Sequence, residues 1–175
     1  MRAPWVMTGY YKDPENTGKV LKEGGWLHTG DQGEFDRDGF LKITGRVKDT
    51  FKGAKGEYIV PAPIEAKFAV NNHLEQVCVL GRNLPQPIIL AVLSEIGMQA
   101  SKEEVKESLT ETLTKVNTEL VNYERLNKLV IVKDPWTVEN KMLTPTLKIK
   151  RNILEKHYQE SLLEWYDIKE KVVWE

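Results

Sequence analysis

Three apolar runs of strand length constrain this chain more than any other feature. Val77-Cys78-Val79-Leu80 and Ile88 to Leu93 carry no polar residue and are split by a turn region from Gly81 to Pro87. Leu129-Val130-Ile131-Val132 is a further strand. Between them Ser101 and Glu104 form a capping-box pattern. Behind that pattern Val105, Leu109, Leu113, Val116 and Leu120 recur at four- and three-residue steps, the mark of a one-faced helix. Pro61 and Pro63 open another helix with Ile64 and Phe68 on one face. Thr50-Phe51-Lys52 and Glu57-Tyr58-Ile59-Val60 read as two strands around Gly53-Ala54-Lys55-Gly56. A last helix is expected from Thr146 onward, carrying Ile153, Leu154, Tyr158, Leu162 and Trp165 inward. Helices and strands therefore interleave from Val47 on, and the fold class is α+β, a small mixed sheet with flanking helices.

Residues 1–46 differ in texture. Trp5-Val6-Met7 is apolar, Lys12-Asp13-Pro14-Glu15 reads as a turn, and Glu34-Phe35-Asp36 and Phe40 to Thr44 flank Arg37-Asp38-Gly39 as a hairpin. So little continuous apolar sequence makes a poor independent folding unit. Two domains are expected: 1–46, a β-rich and incomplete piece of a larger sheet, and 47–175, the α+β domain. The boundary falls at Gly45-Arg46-Val47-Lys48.

Composition excludes some classes. A net charge of −1 over 175 residues gives no global pull toward nucleic acid or acidic membranes. Cys78, the one cysteine, has no Cys or His at ligand spacing and reads as a buried strand residue. No disulfide can form within one chain, which fits a reducing cytoplasm. No basic stretch leads into an apolar signal core, and no apolar run approaches the ~18 residues of a membrane span. His28, His73 and His157 suggest neither zinc nor a triad, so no metal site is expected. Asn16-Thr17-Gly18-Lys19 lacks the frame of a phosphate loop.

Five residues carry candidate chemistry. Asp31 ends a Thr-Gly-Asp turn, and its carboxylate is acceptor-only and able to take two hydroxyls. Taken alone it reads as a turn cap. Arg46 stands behind Gly45. Lys148, followed by Lys150 and Arg151, reads on residues alone as the polar face of a helix start. Lys48 by itself is a solvated lysine, and Gly56 with Gly53 an ordinary hairpin turn.

The strings Gly25-Trp26-Leu27-His28-Thr29-Gly30-Asp31, Gly45-Arg46-Val47-Lys48-Asp49 and Leu143-Thr144-Pro145-Thr146-Leu147-Lys148-Ile149-Lys150-Arg151 change those weights. Together they resemble the C-terminal part of an acyl-adenylate-forming, AMP-binding enzyme, closest to long-chain fatty acyl-CoA synthetases. The resemblance implies that 47–175 is the family's lid domain and 1–46 the end of its large domain. It gives Lys148 the catalytic role, Asp31 and Arg46 the ribose of ATP or AMP, Lys48 the hinge, and Gly56 the path of the CoA pantetheine arm. Leu147 departs from the family's usual glycine, a form that looks like the long-chain branch. The implied activity is ligation of a fatty acid to CoA through acyl-AMP. Its substrates and cofactors are a fatty acid, ATP, Mg²⁺ bound upstream of this chain, and CoA. Transfer to an acyl carrier protein is the nearest alternative, and a stand-alone, non-catalytic lid-like module is another. The chain reads as starting inside such an enzyme, so alone it is expected to be inactive and to self-associate through exposed strands. A cytoplasmic parent with peripheral membrane contact, and no nucleic-acid partner, completes the expectation.

Overall fold

The computed structural model describes residues Met1–Glu175 as two units, Met1–Lys48 and Asp49–Glu175. In the first, Asp13 and Pro14 start a helix, α1 (Pro14–Val20), where a turn was expected. Asp13 accepts the Asn16 backbone N–H at 3.0 Å, and Pro14 takes the first turn, where a missing N–H costs nothing. The short strands β1 (Leu21–Lys22) and β2 (Trp26–Leu27) pair across a 3-10 turn. A hairpin follows, β3 (Asp31–Phe35) against β4 (Leu41–Arg46), with Asp36 Oδ1 accepting the N–H groups of Asp38 and Phe40 at its tip. No apolar side chain of this unit is buried, and Trp5, Tyr11, Phe35 and Phe40 are all largely exposed. Its order rests on turns, caps, two short antiparallel strand pairs and a reciprocal backbone pairing of Met1 with Leu27.

The second unit has a real core. A small hairpin, β5 (Phe51–Lys52) with β6 (Tyr58–Ile59), leads into α2 (Pro61–Ala66). Then come β7 (Leu74–Leu80), β8 (Ile88–Leu93), α3 (Glu95–Gln99), α4 (Lys102–Glu119) and β9 (Leu129–Ile131). The chain ends with α5 (Arg151–His157), α6 (Gln159–Asp167) and β10 (Val172–Trp174). The apolar runs become neighbours in one sheet ordered β10-β9-β8-β7, antiparallel between β7 and β8 and parallel elsewhere.

Alternate residues of these strands go to opposite faces. Val79, Ile89, Ala91, Leu129, Ile131 and Val172 join one core with Ile64, Phe68 and the inward stripe of α4. Cys78, Leu80, Leu90, Val130 and Val173 join the other with Trp136, Leu154, Leu162 and Trp165. Ser101 caps α4 as its pattern required, accepting the Glu104 N–H at 3.2 Å. Lys128, just before β9, is an unanticipated buried cation whose ammonium donates to the Ile168 carbonyl.

Two expectations are corrected here. The last helix is two helices broken at Tyr158, and it starts at Arg151 rather than Thr146. The break lets Leu154 and the pair Leu162 and Trp165 reach one core, while Ile153 stays exposed at 37%. The final residues also form a strand, β10, with Val172 and Val173 buried. No helix is long and apolar enough to cross a membrane.

β10 sets a test. Ending the chain at Lys171 removes two buried valines, each worth about 1.5–3 kcal/mol. Urea unfolding should then show a loss of about 3–6 kcal/mol. An unchanged midpoint would contradict the placement of β10 in the sheet.

Candidate functional site

Asp31 opens β3 and Arg46 ends β4, and the hairpin register sets them opposite each other. Arg46 Nε donates to Asp31 Oδ1 at 3.1 Å. The Thr29 hydroxyl accepts the Asp31 N–H at 3.1 Å, and the Gly30 carbonyl accepts the Val47 N–H at 2.9 Å, fixing the turn that presents the carboxylate. The side chains are 35% and 64% exposed, so the pair adds under about 1 kcal/mol of stability. Its significance is geometric: a carboxylate and a guanidinium stand side by side where a polar ligand can reach them. Lys48 follows in an exposed turn as the last residue of the first unit.

Gly56 closes the β5–β6 hairpin. The Gly56 N–H donates to Gly53 O at 3.1 Å and the Gly53 N–H to Glu57 O at 2.9 Å. Its φ of +89° accounts for the glycine, and a Cβ there would meet no atom within 4 Å. The hairpin rests on the turn after β7, with Ala54 N–H donating to Leu84 O at 2.9 Å and Asn83 N–H to Lys52 O at 3.0 Å.

Lys148 sits on a different loop, immediately before α5. Thr144 N–H donates to Lys148 O at 2.8 Å, Lys148 N–H to the Thr144 hydroxyl at 3.0 Å, and Lys150 N–H to Met142 O at 2.9 Å. Met142 and Leu143 are buried, which anchors the loop's incoming arm. The loop backbone is thus pinned at both arms while the Lys148 side chain is exposed, its ammonium free of any hydrogen bond or ion pair within the chain. Leu147 turns the corner at φ +59°, a left-handed conformation that disfavours any residue with a Cβ. That is the position where the resembled motif carries glycine.

Two residues given no role by the sequence meet beneath this loop. Arg151, the first residue of α5, donates from Nη2 to Glu65 Oε2 at 3.0 Å, and its Nη1 stands 2.8 Å from Glu65 Oε1 as an ion pair. It also donates to Val79 O at 2.6 Å and Cys78 Sγ at 3.1 Å, while Glu65 accepts the Val79 N–H at 2.6 Å. The side chains are only 15% and 17% exposed. Burial works against the Arg151 charge, but Cys78, the Glu65 hydrogen bond and charge, and Asp49 hold its pKa above the ordinary value. Burial pushes the Cys78 thiol up to about 12. A long-range pair of this kind leaves no periodic trace; the only hint was Arg151 ending the lysine motif. Nowhere do three His, Cys, Asp or Glu side chains group to hold a metal ion.

Residues 48–170 match the family model described as the AMP-binding enzyme C-terminal domain. The chain is 39% identical to long-chain-fatty-acid–CoA ligase 5 of Mus musculus across 93% of its own length, and 32% identical to ligase 1 of Homo sapiens across 95%. It spans about a quarter, 26%, of each of those relatives. Among solved structures, it resembles the adenylation domain of the carboxylate reductase from Mycobacterium chelonae, at 29% identity and a TM-score of 0.73 over 92% of this chain and 26% of that one. It is similarly close to the A domain of carboxylic acid reductase from Segniliparus rugosus in complex with AMP and a co-purified carboxylic acid, at 26% identity and a TM-score of 0.72 over 91% of this chain and 26% of that one.

Two measurements follow from the loop and its support. Leu147→Asn should stabilise the chain by up to about 1 kcal/mol by easing the left-handed corner, whereas β-branched Leu147→Val should destabilise it. A valine variant more stable than the asparagine one would contradict that corner. Cys78 tests the burial beneath it. Its folded pKa is raised, so the unfolded chain ionises first and stability falls as pH climbs from 9.0 toward about 12. Compared with Cys78→Ala, the native chain should lose up to about 1.4 kcal/mol more per pH unit in that window. Equal slopes would contradict a protonated, buried thiol.

Proposed function

The chain belongs to the AMP-binding enzyme family through its C-terminal domain, and from that premise we propose that it is the C-terminal part of a fatty acid–CoA ligase. The fatty acid carboxylate attacks the α-phosphorus of ATP, pyrophosphate leaves, and acyl-AMP forms. The CoA thiolate then attacks the acyl carbonyl and AMP leaves. Residues 47–175 act as the mobile lid and residues 1–46 as the end of the large adenylating domain.

The observation that carries this reading is the free ammonium of Lys148 on a loop pinned by the hydrogen bonds Thr144 N–H to Lys148 O, Lys148 N–H to the Thr144 hydroxyl and Lys150 N–H to Met142 O. A compact cation on a flexible stem reaches both a carboxylate and a phosphoryl oxygen. It counters charge that grows as the phosphorus becomes five-coordinate. Asp31 accepts from the ribose hydroxyls and Arg46 donates beside it. The open space at Gly56 admits the pantetheine arm. Lys48, in the turn after β4, absorbs the rotation that exchanges one loop for the other. No carboxylate cluster on this chain suits Mg²⁺, so no step here passes through that ion.

In the full-length enzyme, Lys148→Ala should lower fatty-acid-dependent pyrophosphate exchange by about 10²–10³-fold. Thioester formation from supplied acyl-adenylate should change far less. An equal fall in both half-reactions would contradict the role of Lys148. Lys48→Pro should do the reverse, and retained thioesterification would remove the hinge assignment. Offering CoA and holo-acyl carrier protein side by side identifies the acceptor: preference for the carrier would contradict a CoA ligase.

A further inference from the structure

Strand β7 is the outer strand of the sheet, with β8 on one side only. Val79 pairs in register with Ile89, whose own N–H goes the other way, to Lys128 O at 3.1 Å. The backbone groups of Val79 therefore point off the sheet edge, where a further strand would normally meet them. Two side chains meet them instead. Glu65 accepts from the N–H and Arg151 donates to the C=O, and the two are joined to each other by one hydrogen bond and a close ion-pair contact. Arginine is the cation suited to this, since its planar fork satisfies a carboxylate and a carbonyl at once.

Resting on the ligase reading above, we propose that this Glu65–Arg151 fork on the edge of β7 is the positioning element for Lys148. Lys148 is three residues before Arg151, and only Ile149 and Lys150 lie between them. The incoming arm of the loop is held by Met142 and Leu143 in the core. The outgoing arm is held by the fork. Fixing both ends leaves the loop one position, and the Lys148 ammonium one arc to sweep. Arg151 touches no substrate in this role and acts only through the lysine. A displacement of about 1 Å in such a group is enough to cost on the order of 10²-fold in rate.

The test uses the full-length ligase with Arg151→Lys and Glu65→Gln, each alone and combined with Lys148→Ala. Arg151→Lys keeps the charge but loses the fork, and Glu65→Gln keeps the shape but weakens it. If the fork positions Lys148, each single variant lowers the kcat of pyrophosphate exchange by about 10–100-fold. The KM for ATP and thioesterification from supplied acyl-adenylate change by less than about threefold. In the Lys148→Ala background either change has no further effect on exchange, because no ammonium remains to be placed. Multiplicative losses in that background, or both half-reactions falling together with the thermal midpoint, overturn the proposal while leaving Lys148 catalytic. An unaffected Lys148→Ala enzyme overturns the ligase reading of that lysine, and the proposal with it.

Discussion

Burying both faces of a four-stranded sheet leaves its backbone one place to meet water, the outer edges of the end strands. Everything else in the second unit follows from that constraint. Strands β7 to β10 send alternate residues to two cores, so no face is left for solvent. The helices divide accordingly, α2 and α4 on one side and α5 and α6 on the other. The edge of β7 is then a liability, because unpaired strand groups attract other chains. At Val79 the fold closes it with a carboxylate and a guanidinium instead of a strand.

That closure has a stability side and a functional side. A buried ion pair is weak evidence for net stability, since desolvation offsets much of the attraction. Here the pair also satisfies two backbone groups: removing Glu65 strands Arg151 Nη2 and the Val79 N–H, and removing Arg151 strands Glu65 Oε2 and the Val79 C=O. Functionally, it ties the residues just after Lys148 to the helix that follows the Gly56 hairpin. The two loops the chemistry would use therefore hang from one strand and the turn beyond it. The first unit offers a contrast. Its Asp31–Arg46 pair is set by hairpin register and the Thr29–Gly30 turn, with no apolar core beneath it.

Features readable from sequence share one property, a local or periodic cause. The apolar runs became strands, Ser101 capped α4, and the Asp-Gly tip closed the β3–β4 hairpin. Features that escaped depend on distant partners or on residues with two uses. Asp13-Pro14 starts turns and helices alike, and only the Asn16 bonds decide for the helix. Val172 to Trp174 mean little until β9 lies beside them. Tyr158 breaks the last helix so that Leu154 before it and Leu162 and Trp165 after it meet one core. Of the site, Asp31, Arg46, Lys48, Gly56 and Lys148 were legible only through a family resemblance, since each is chemically ordinary alone. Glu65 and Arg151 stand 86 residues apart, and no spacing rule joins them.

The central claim is that side chains close the sheet edge at Val79, and native-state amide hydrogen exchange of the chain tests it most directly. If the fork persists in solution, the Val79 amide exchanges only on global unfolding, with the same opening free energy as the interior-strand amides of Leu90 and Val130. The exposed amides of the first unit exchange much faster. A Val79 amide that exchanges in the fast class would mean that the edge is open to water and that the fork does not hold Lys148 in place.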